Sequence, residues 1–308
     1  MEKSLPLISV VMATYNGGKF LSQQLDSVLE QTYCNLEIII SDDCSTDTTW
    51  DIIEQYVKQD HRITAYQNEV NLGYIKNFEK GIGYCKGDYV AICDQDDIWY
   101  KEKIDLLMEA IQQHDLCFCD SELIDECNQS LNKKLSDIKR LGAYTCCLPF
   151  VPGNCISGHA TLIKRETLLQ ALPFPDSFVY DWYLAFFTVC IGSIAYLNQP
   201  LVQYRQHRNS SIAAVKVKNN TKKKKDAQQE IQSIRNRIKI FYEITERFAV
   251  PDRIVLKHLY ESYQSFSLYN NFKRFVIFFR YRKQLLAIKK KSPFRKWLFC
   301  LKMFFKII

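Results

Sequence analysis

Residues 7–49 read LISVVMATYNGGKFLSQQLDSVLEQTYCNLEIIISDDCSTDTT. A β-branched apolar run stops at Thr14-Tyr15-Asn16-Gly17-Gly18, which predicts a buried strand followed by a loop. Phe20, Leu21, Leu25, Val28 and Leu29 then recur at helical spacing, which predicts a helix over 20–32. A second apolar run ends in Asp42-Asp43, and Ser45 or Thr46 is placed to cap a helix over 47–59. Working outward, 62–68 reads as a strand, 74–85 as a helix and 88–94 as a further strand. Strands alternating with helices predict an α/β fold with a mixed, mostly parallel sheet flanked by helices. Ligands of such sheets bind beyond the carboxyl ends of the strands. Three of these strands end in polar groups: Thr14-Tyr15-Asn16, Asp42-Asp43 and Asp94-Gln95-Asp96.

The third end is the most demanding electrostatically. In ICDQDDIWY (92–100), three carboxylates fall within four positions. Asp94-x-Asp96 brings two hard oxygen ligands together across a tight turn. A divalent cation, Mg²⁺ or Mn²⁺, relieves their repulsion and keeps coordination positions for diphosphate oxygens. The same residues also read as a solvated acidic loop leading into a helix, since a lone DxD is a weak signal.

Further along, 153–168 reads as a Gly-rich loop, a strand and a turn. Residues 178–192 form an apolar helix with Asp181 near its start, and 192–211 read as strands ending in YRQHRNSS. A boundary falls near 212–226, where NNTKKKKD is polar and charged, and helical periodicity follows to the end. The charge is split along the same line. Residues 216–308 hold 24 basic against 6 acidic side chains, and the remainder hold 17 against 28. No acidic residue follows Glu261. An acidic body and a basic tail point to two tasks in two regions, 1–215 and 216–308. The twelve cysteines include no CxxC pair, so reduced thiols are expected rather than a zinc site or a disulfide framework. Leu5–Ala13 lacks the basic leader and cleavage site of a secretory signal, and no window reaches the length of a spanning helix.

Taken in order, SVVMATYNGG, the SDDCSTDTT segment and NLGYIKNFEKGIGYCKGDYVAICDQDDIW strongly resemble the nucleotide-sugar domain of family 2 glycosyltransferases, closely over about 5–110 and more loosely to about 212. The resemblance implies a GT-A (Rossmann-like) fold, here with a C-terminal basic helical extension. It implies that Ala13, Thr14 and Tyr15 contact the nucleobase and ribose, with Asp43 on the base and Asp42 close by. Asp96 would ligate the metal, Asp94 would approach the ribose or the metal, and Gln95 would sit with the nucleotide-binding residues. An inverting transfer also needs a separate carboxylate to take the acceptor proton. VYDWYLA (179–185) looks like the family's base motif, which assigns that role to Asp181. Tyr180 stands where the family often carries Glu, and Asp176 is the fallback. In related enzymes a histidine in a YRxH-like stretch approaches the metal or diphosphate, which maps onto His207. Arg205 and Arg208 are then candidates for phosphate oxygens. GNCISGHA resembles the acceptor-side loop, with Gly153 and Gly158 allowing close approach and His159 lining the pocket. VYDWY and YRQH look somewhat like rhamnosyltransferases, so a dTDP-sugar stands beside a UDP-sugar as donor.

The GxxxxGK[ST] phosphate loop of P-loop proteins is absent; the QxxRW motif of processive synthases is absent too and no window is long enough to span a membrane, which favours addition of a single sugar. The tail interleaves aromatics with Lys and Arg. A solvated face does not account for Phe275, Phe278, Phe279, Trp297, Phe299, Phe304 and Phe305, and no nucleic-acid-binding pattern accompanies the charge. Attachment to an anionic membrane surface accounts for both, with intramolecular packing and oligomer contact as the competing readings. The expectation is therefore a metal-dependent glycosyltransferase on the cytoplasmic, inner face of the cell membrane, with a glycan or lipid-linked acceptor. A non-catalytic nucleotide-sugar or glycan-binding protein of the same fold is the alternative.

Overall fold

A computed structural model describes residues 5–176, 178–207 and 227–305. The elements run β1 (Ile8–Thr14), α1 (Leu21–Leu29), β2 (Leu36–Asp42), α2 (Thr49–Gln59), β3 (Ile63–Gln67), α3 (Tyr74–Tyr84), β4 (Tyr89–Cys93), β5 (Ile98–Trp99), α4 (Lys103–Ile111), β6 (Leu116–Ile124), β7 (Ser130–Lys134) and α5 (Leu135–Ile138). They continue with β8 (Thr161–Lys164), α6 (Arg165–Gln170), α7 (Tyr180–Ile191), β9 (Ile194–Arg205), α8 (Ala227–Arg247), α9 (Arg253–Ser262), α10 (Leu268–Arg280), α11 (Arg282–Leu285) and α12 (Pro293–Phe305). The described residues fall into two compact units. One is drawn from Met1–Asp137, Ile156–Phe174 and Ile194–Val217, the other from Ile138–Cys155, Pro175–Ser193 and Lys218–Ile308.

The first unit is built on a nine-stranded sheet of order β3-β2-β1-β4-β8-β6-β9-β5, with β7 on β6. The strands β3, β2, β1 and β4 are mutually parallel; β8 then pairs antiparallel to both β4 and β6. Ile8, Val10, Val11 and Met12 of β1 are all fully buried, because helices cover a central parallel strand on both faces. Ile38 and Ile40 of β2, Leu21, Leu25 and Val28 of α1 and Leu107 of α4 join one contiguous core.

Register brings the strand ends together. Thr14 pairs with Asp42, and Met12 pairs with Cys93, so the residues after all three strands emerge side by side. At the other side of the acidic turn, β5 runs antiparallel to β9, with Ile98 opposite Gln203 and Trp99 opposite Val202. Continuing that antiparallel register carries residues 204–207 back alongside 94–97. The helix predicted from 47 starts at Thr49, and neither Ser45 nor Thr46 caps it. Ser45 instead donates from its backbone and its hydroxyl to Asp42, and the Thr46 N–H donates to Asn16 Oδ1. Cap chemistry is thus spent on joining two loops.

The second unit is helical. Phe186 of α7 stacks on Phe241 of α8 with centroids 3.7 Å apart, and Phe178 meets Phe241 edge-on at 5.6 Å. The Trp182 indole donates to the Phe150 carbonyl at 2.6 Å. Arg274 of α10 is fully buried and donates to the carbonyls of Ser262 and Met303, which ties α9 and α12 to α10. No helix among the described residues is long and apolar enough to cross a membrane. Tyr269, Phe272, Val276 and Phe279 nevertheless form an exposed apolar stripe at helical spacing along α10.

Candidate active site

The site gathers at the carboxyl ends of β1, β2 and β4 in the first unit. Asp42 is fully buried and accepts from the Thr14 hydroxyl at 2.9 Å, from Ser45 and from Gln67 Nε2 at 3.2 Å. Asp43, equally buried, accepts from Asn68 Nδ2 at 2.9 Å and from the backbone N–H groups of Leu72 and Gly73, each at 2.8 Å. Ala13 and Thr14 end the strand, and the Tyr15 ring is exposed beyond it. The Gln95 side chain pairs with both backbone groups of Tyr15. Its Oε1 accepts from the Tyr15 N–H at 2.9 Å, and its Nε2 donates to the Tyr15 carbonyl at 3.1 Å. Gly17 makes this possible, since a Cβ at that position would lie 2.1 Å from Gln95 Oε1. The acidic turn is therefore fastened to the loop after β1.

Within the turn, each carboxylate has a different environment. Asp96 Oδ2 lies 2.7 Å from His207 Nε2, and the His207 ring packs on Phe20 with centroids 5.3 Å apart. Asp94 is the most open, with a side chain 37% exposed. Asp97 points inward and is fully buried. Its Oδ1 accepts from the Arg205 N–H at 3.0 Å, and its Oδ2 makes no hydrogen bond but lies 3.4 Å from His159 Nδ1. The same His159 nitrogen is 3.5 Å from Asp94 Oδ2, and the other ring nitrogen is 3.0 Å from Ser121 Oγ. Burial first, then the charges of Asp96 and Asp94, push the Asp97 carboxyl well above its ordinary range. Beneath the turn lies Lys103, fully buried, donating to the His159 carbonyl at 2.6 Å and sitting 3.1 Å from the centre of the Trp99 ring. Burial lowers the Lys103 ammonium to about 8.

Two expectations change. Arg205 does not face a phosphate site: it is 1% exposed, and its guanidinium is fully engaged. It donates to the Asp96 carbonyl at 2.7 Å, to Gln23 Oε1 at 3.0 Å, to the Asp125 carbonyl and to Asn128 Oδ1, and it lies 4.5 Å from the Phe20 ring centre. It braces the acidic turn from below. His159, expected in an acceptor pocket, is buried under Asp94 and Asp97. Arg208 lies outside the described residues. Asp181 stands in the first turn of α7 in the second unit, where its Oδ1 accepts from Asn154 Nδ2 at 3.1 Å, and Asp176 is exposed before that helix. Asp97, Lys103 and Gln23 carried no signal in the sequence, because their partners are distant along the chain.

The donor set suits a divalent cation. Asp96 Oδ2 and His207 Nε2 meet directly at 2.7 Å and are each partly accessible, an oxygen and an imidazole nitrogen of the kinds that such a cation accepts. Asp94, Asp97 and His159 also bring ligand atoms within 4.8 Å of one another. Two of those three, Asp97 and His159, are buried, whereas Asp94 is partly open.

The family described as Glycosyl transferase family 2 matches residues 9–169, just over half of the chain. The chain belongs to glycosyltransferase family 2. An uncharacterized glycosyltransferase of Haemophilus influenzae is 27% identical, over 94% of this chain and 95% of the relative. The dTDP-rhamnosyl transferase RfbG of Shigella flexneri is 32% identical over 66% of this chain and 74% of its own length. The Escherichia coli UDP-Glc:alpha-D-GlcNAc-diphosphoundecaprenol beta-1,3-glucosyltransferase WfgD is 29% identical, over 69% and 81%. Among solved structures, Staphylococcus aureus TarS 1–349 in complex with UDP-GlcNAc matches 97% of this chain and 80% of that one, at a TM-score of 0.62 and 16% identity. The fold of this family 2 glycosyltransferase is thus GT-A.

Proposed function

We propose that this enzyme transfers a single sugar, with inversion, from a UDP- or dTDP-sugar to a hydroxyl of a lipid-linked glycan in cell-surface polysaccharide synthesis. The observation that carries the reading is the Asp96–His207 pair at 2.7 Å, set beside the joined ends of β1, β2 and β4. By the resemblance the base and ribose lie against Ala13, Thr14, Tyr15 and Asp43; of these Tyr15 is exposed, with Gln95 holding its backbone, while Thr14 and Asp43 are buried and hold the surrounding loops. Asp96 and His207, with Asp94, would hold Mg²⁺ or Mn²⁺, which when bound neutralises the departing diphosphate. Arg205 and Lys103 offset the charge of the acidic turn before any ligand arrives. On the sequence motif, Asp181 takes the proton of the attacking hydroxyl. Asn154 fixes the rotamer of that carboxylate through its 3.1 Å hydrogen bond. WfgD, whose name specifies a diphosphoundecaprenol acceptor, supports the lipid-linked substrate. The exposed apolar stripe of α10 and the basic tail support attachment to the inner face of the membrane.

A screen of nucleotide sugars, read by thermal shift and by donor hydrolysis with and without Mn²⁺, tests the reading. Asp96→Asn is expected to lose cation-dependent nucleotide binding, and Asp181→Asn to retain binding and lose transfer. Undiminished turnover in Asp96→Asn refutes the metal assignment. Tight nucleotide-sugar binding without hydrolysis or transfer to any acceptor identifies a binding protein instead.

A further inference from the structure

We propose that the second unit carries an anion pocket that takes the diphosphate joining the acceptor glycan to its lipid. This deepens the reading above and rests on it for the identity of the acceptor. The pocket is a cavity of about 250 Å³ walled by Lys139, Lys289, Lys290 and Lys291, with Gly153 and Asn154 opposite. Its basic rim is built by backbone bonds. The Arg140 N–H donates to the Ile288 carbonyl at 2.9 Å, clamping the 138–140 segment to the chain after α11. Lys289 N–H to the Leu286 carbonyl, and Lys291 N–H to the Lys289 carbonyl, then curl that chain so that three consecutive lysines line one cavity.

Two features distinguish this cluster from a solvated charge run. First, none of the four ammonium groups has a carboxylate within ion-pair distance among the described residues, whereas Lys239 and Lys273 of the same unit pair with Glu243 and Glu261. Lys289 and Lys291 instead share the ring of Phe299, at 5.0 and 5.5 Å from its centre. Burial and the charges of Lys291 and Arg237 hold Lys289 below its ordinary range, so bringing these cations together is electrostatically costly. A doubly charged phosphate or diphosphate offsets that cost, with lysine ammoniums as its charge-assisted donors. Second, Asn154 belongs both to the pocket wall and to Asp181, to which it donates at 3.1 Å. An acceptor diphosphate seated here therefore starts its sugar beside the residue that holds the proposed base.

Isothermal titration of the full chain with inorganic pyrophosphate in EDTA reads the pocket, because without a divalent cation the acidic turn repels the probe. Saturable binding is expected in the wild type. Loss of two charged hydrogen-bond donors in Lys289→Gln/Lys291→Gln should weaken it by roughly tenfold or more. Lys289→Arg/Lys291→Arg should retain it, and Lys139→Gln, on a separate segment, should also weaken it. Equal affinity in wild type and glutamine variants overturns the proposal. A short polyprenyl diphosphate and phosphatidylglycerol vesicles separate the sources of the anion. Lysine-dependent binding of the prenyl diphosphate, tighter than pyrophosphate, supports the acceptor. Lysine-dependent binding to the vesicles alone overturns it in favour of a lipid headgroup. Sugar transfer is not the readout, so failure of the pocket is distinguishable from failure of the enzymatic reading.

Discussion

Gly17→Ala tests how the acidic turn is held against the loop after β1, the proposed nucleotide contact. The added methyl carbon would stand 2.1 Å from Gln95 Oε1 and 2.4 Å from its Cδ, so the amide must swing away. Gly17 has no left-handed backbone, so the cost falls on this contact rather than on the main chain. Displacing the amide removes both bonds to Tyr15, at 2.9 and 3.1 Å. At about 1 kcal/mol net for each bond, the loss is roughly 2 kcal/mol, or about thirtyfold in nucleotide affinity if it all falls on the ordered loop. Gln95→Ala removes the same two bonds and should cost the same. The double variant should cost no more than Gln95→Ala alone, because no amide remains for the new methyl to displace. A double-mutant cycle, read by titration of the nucleoside diphosphate with Mn²⁺, should therefore show a coupling of about 2 kcal/mol. Additive losses, or a single-variant loss below a few tenths of a kcal/mol, would refute this account of the loop.

Arg205→Met keeps volume and the backbone N–H to Asp97 but strips the Asp96 carbonyl, Gln23 and Asn128 of their donor; urea unfolding should show a loss of about 3–5 kcal/mol, and a loss under 1 would remove Arg205 as the brace. Lys103 releases its proton near 8 when folded and near its ordinary value of 10.5 when unfolded. Between those values the unfolded chain binds more protons, so this group makes stability rise with pH, by about 3 kcal/mol across the window. Urea midpoints at pH 7.5 and 9.5 should rise less steeply in Lys103→Met than in the wild type, and equal slopes would exclude a charged lysine at that depth. Removing residues 262–308 should release the enzyme from anionic vesicles in a sedimentation assay, and retention would assign the tail to packing alone.

Legibility followed the range of each interaction. Strand β1 was readable because Ile8, Val10, Val11 and Met12 form an apolar run broken only by Ser9, and α1 because its buried residues repeat at helical spacing. The start of α2 was not, since Ser45 and Thr46 have the chemistry of a cap and instead join their loop to Asn16, whose N–H donates to Ser45 Oγ and whose Oδ1 accepts from the Thr46 N–H. The Asp94-x-Asp96 pattern marked the turn, yet the third carboxylate, Asp97, had no visible purpose. Its partners, Arg205 and His159, lie 108 and 62 positions away.

The order of apolar runs, polar strand ends and acidic turn determined by itself an α/β enzyme of glycosyltransferase family 2, because periodicity and local turn chemistry are written within a few residues. Only the tertiary structure decided which charges stay partly open at the strand ends and which are buried to hold the turn. Arg205 and His207 are two residues apart and equally plausible as phosphate contacts, but one is sealed beneath Asp96 and the other meets its carboxylate. That difference depends on antiparallel pairing of β5 with β9 and on burial, neither of which a linear sequence displays.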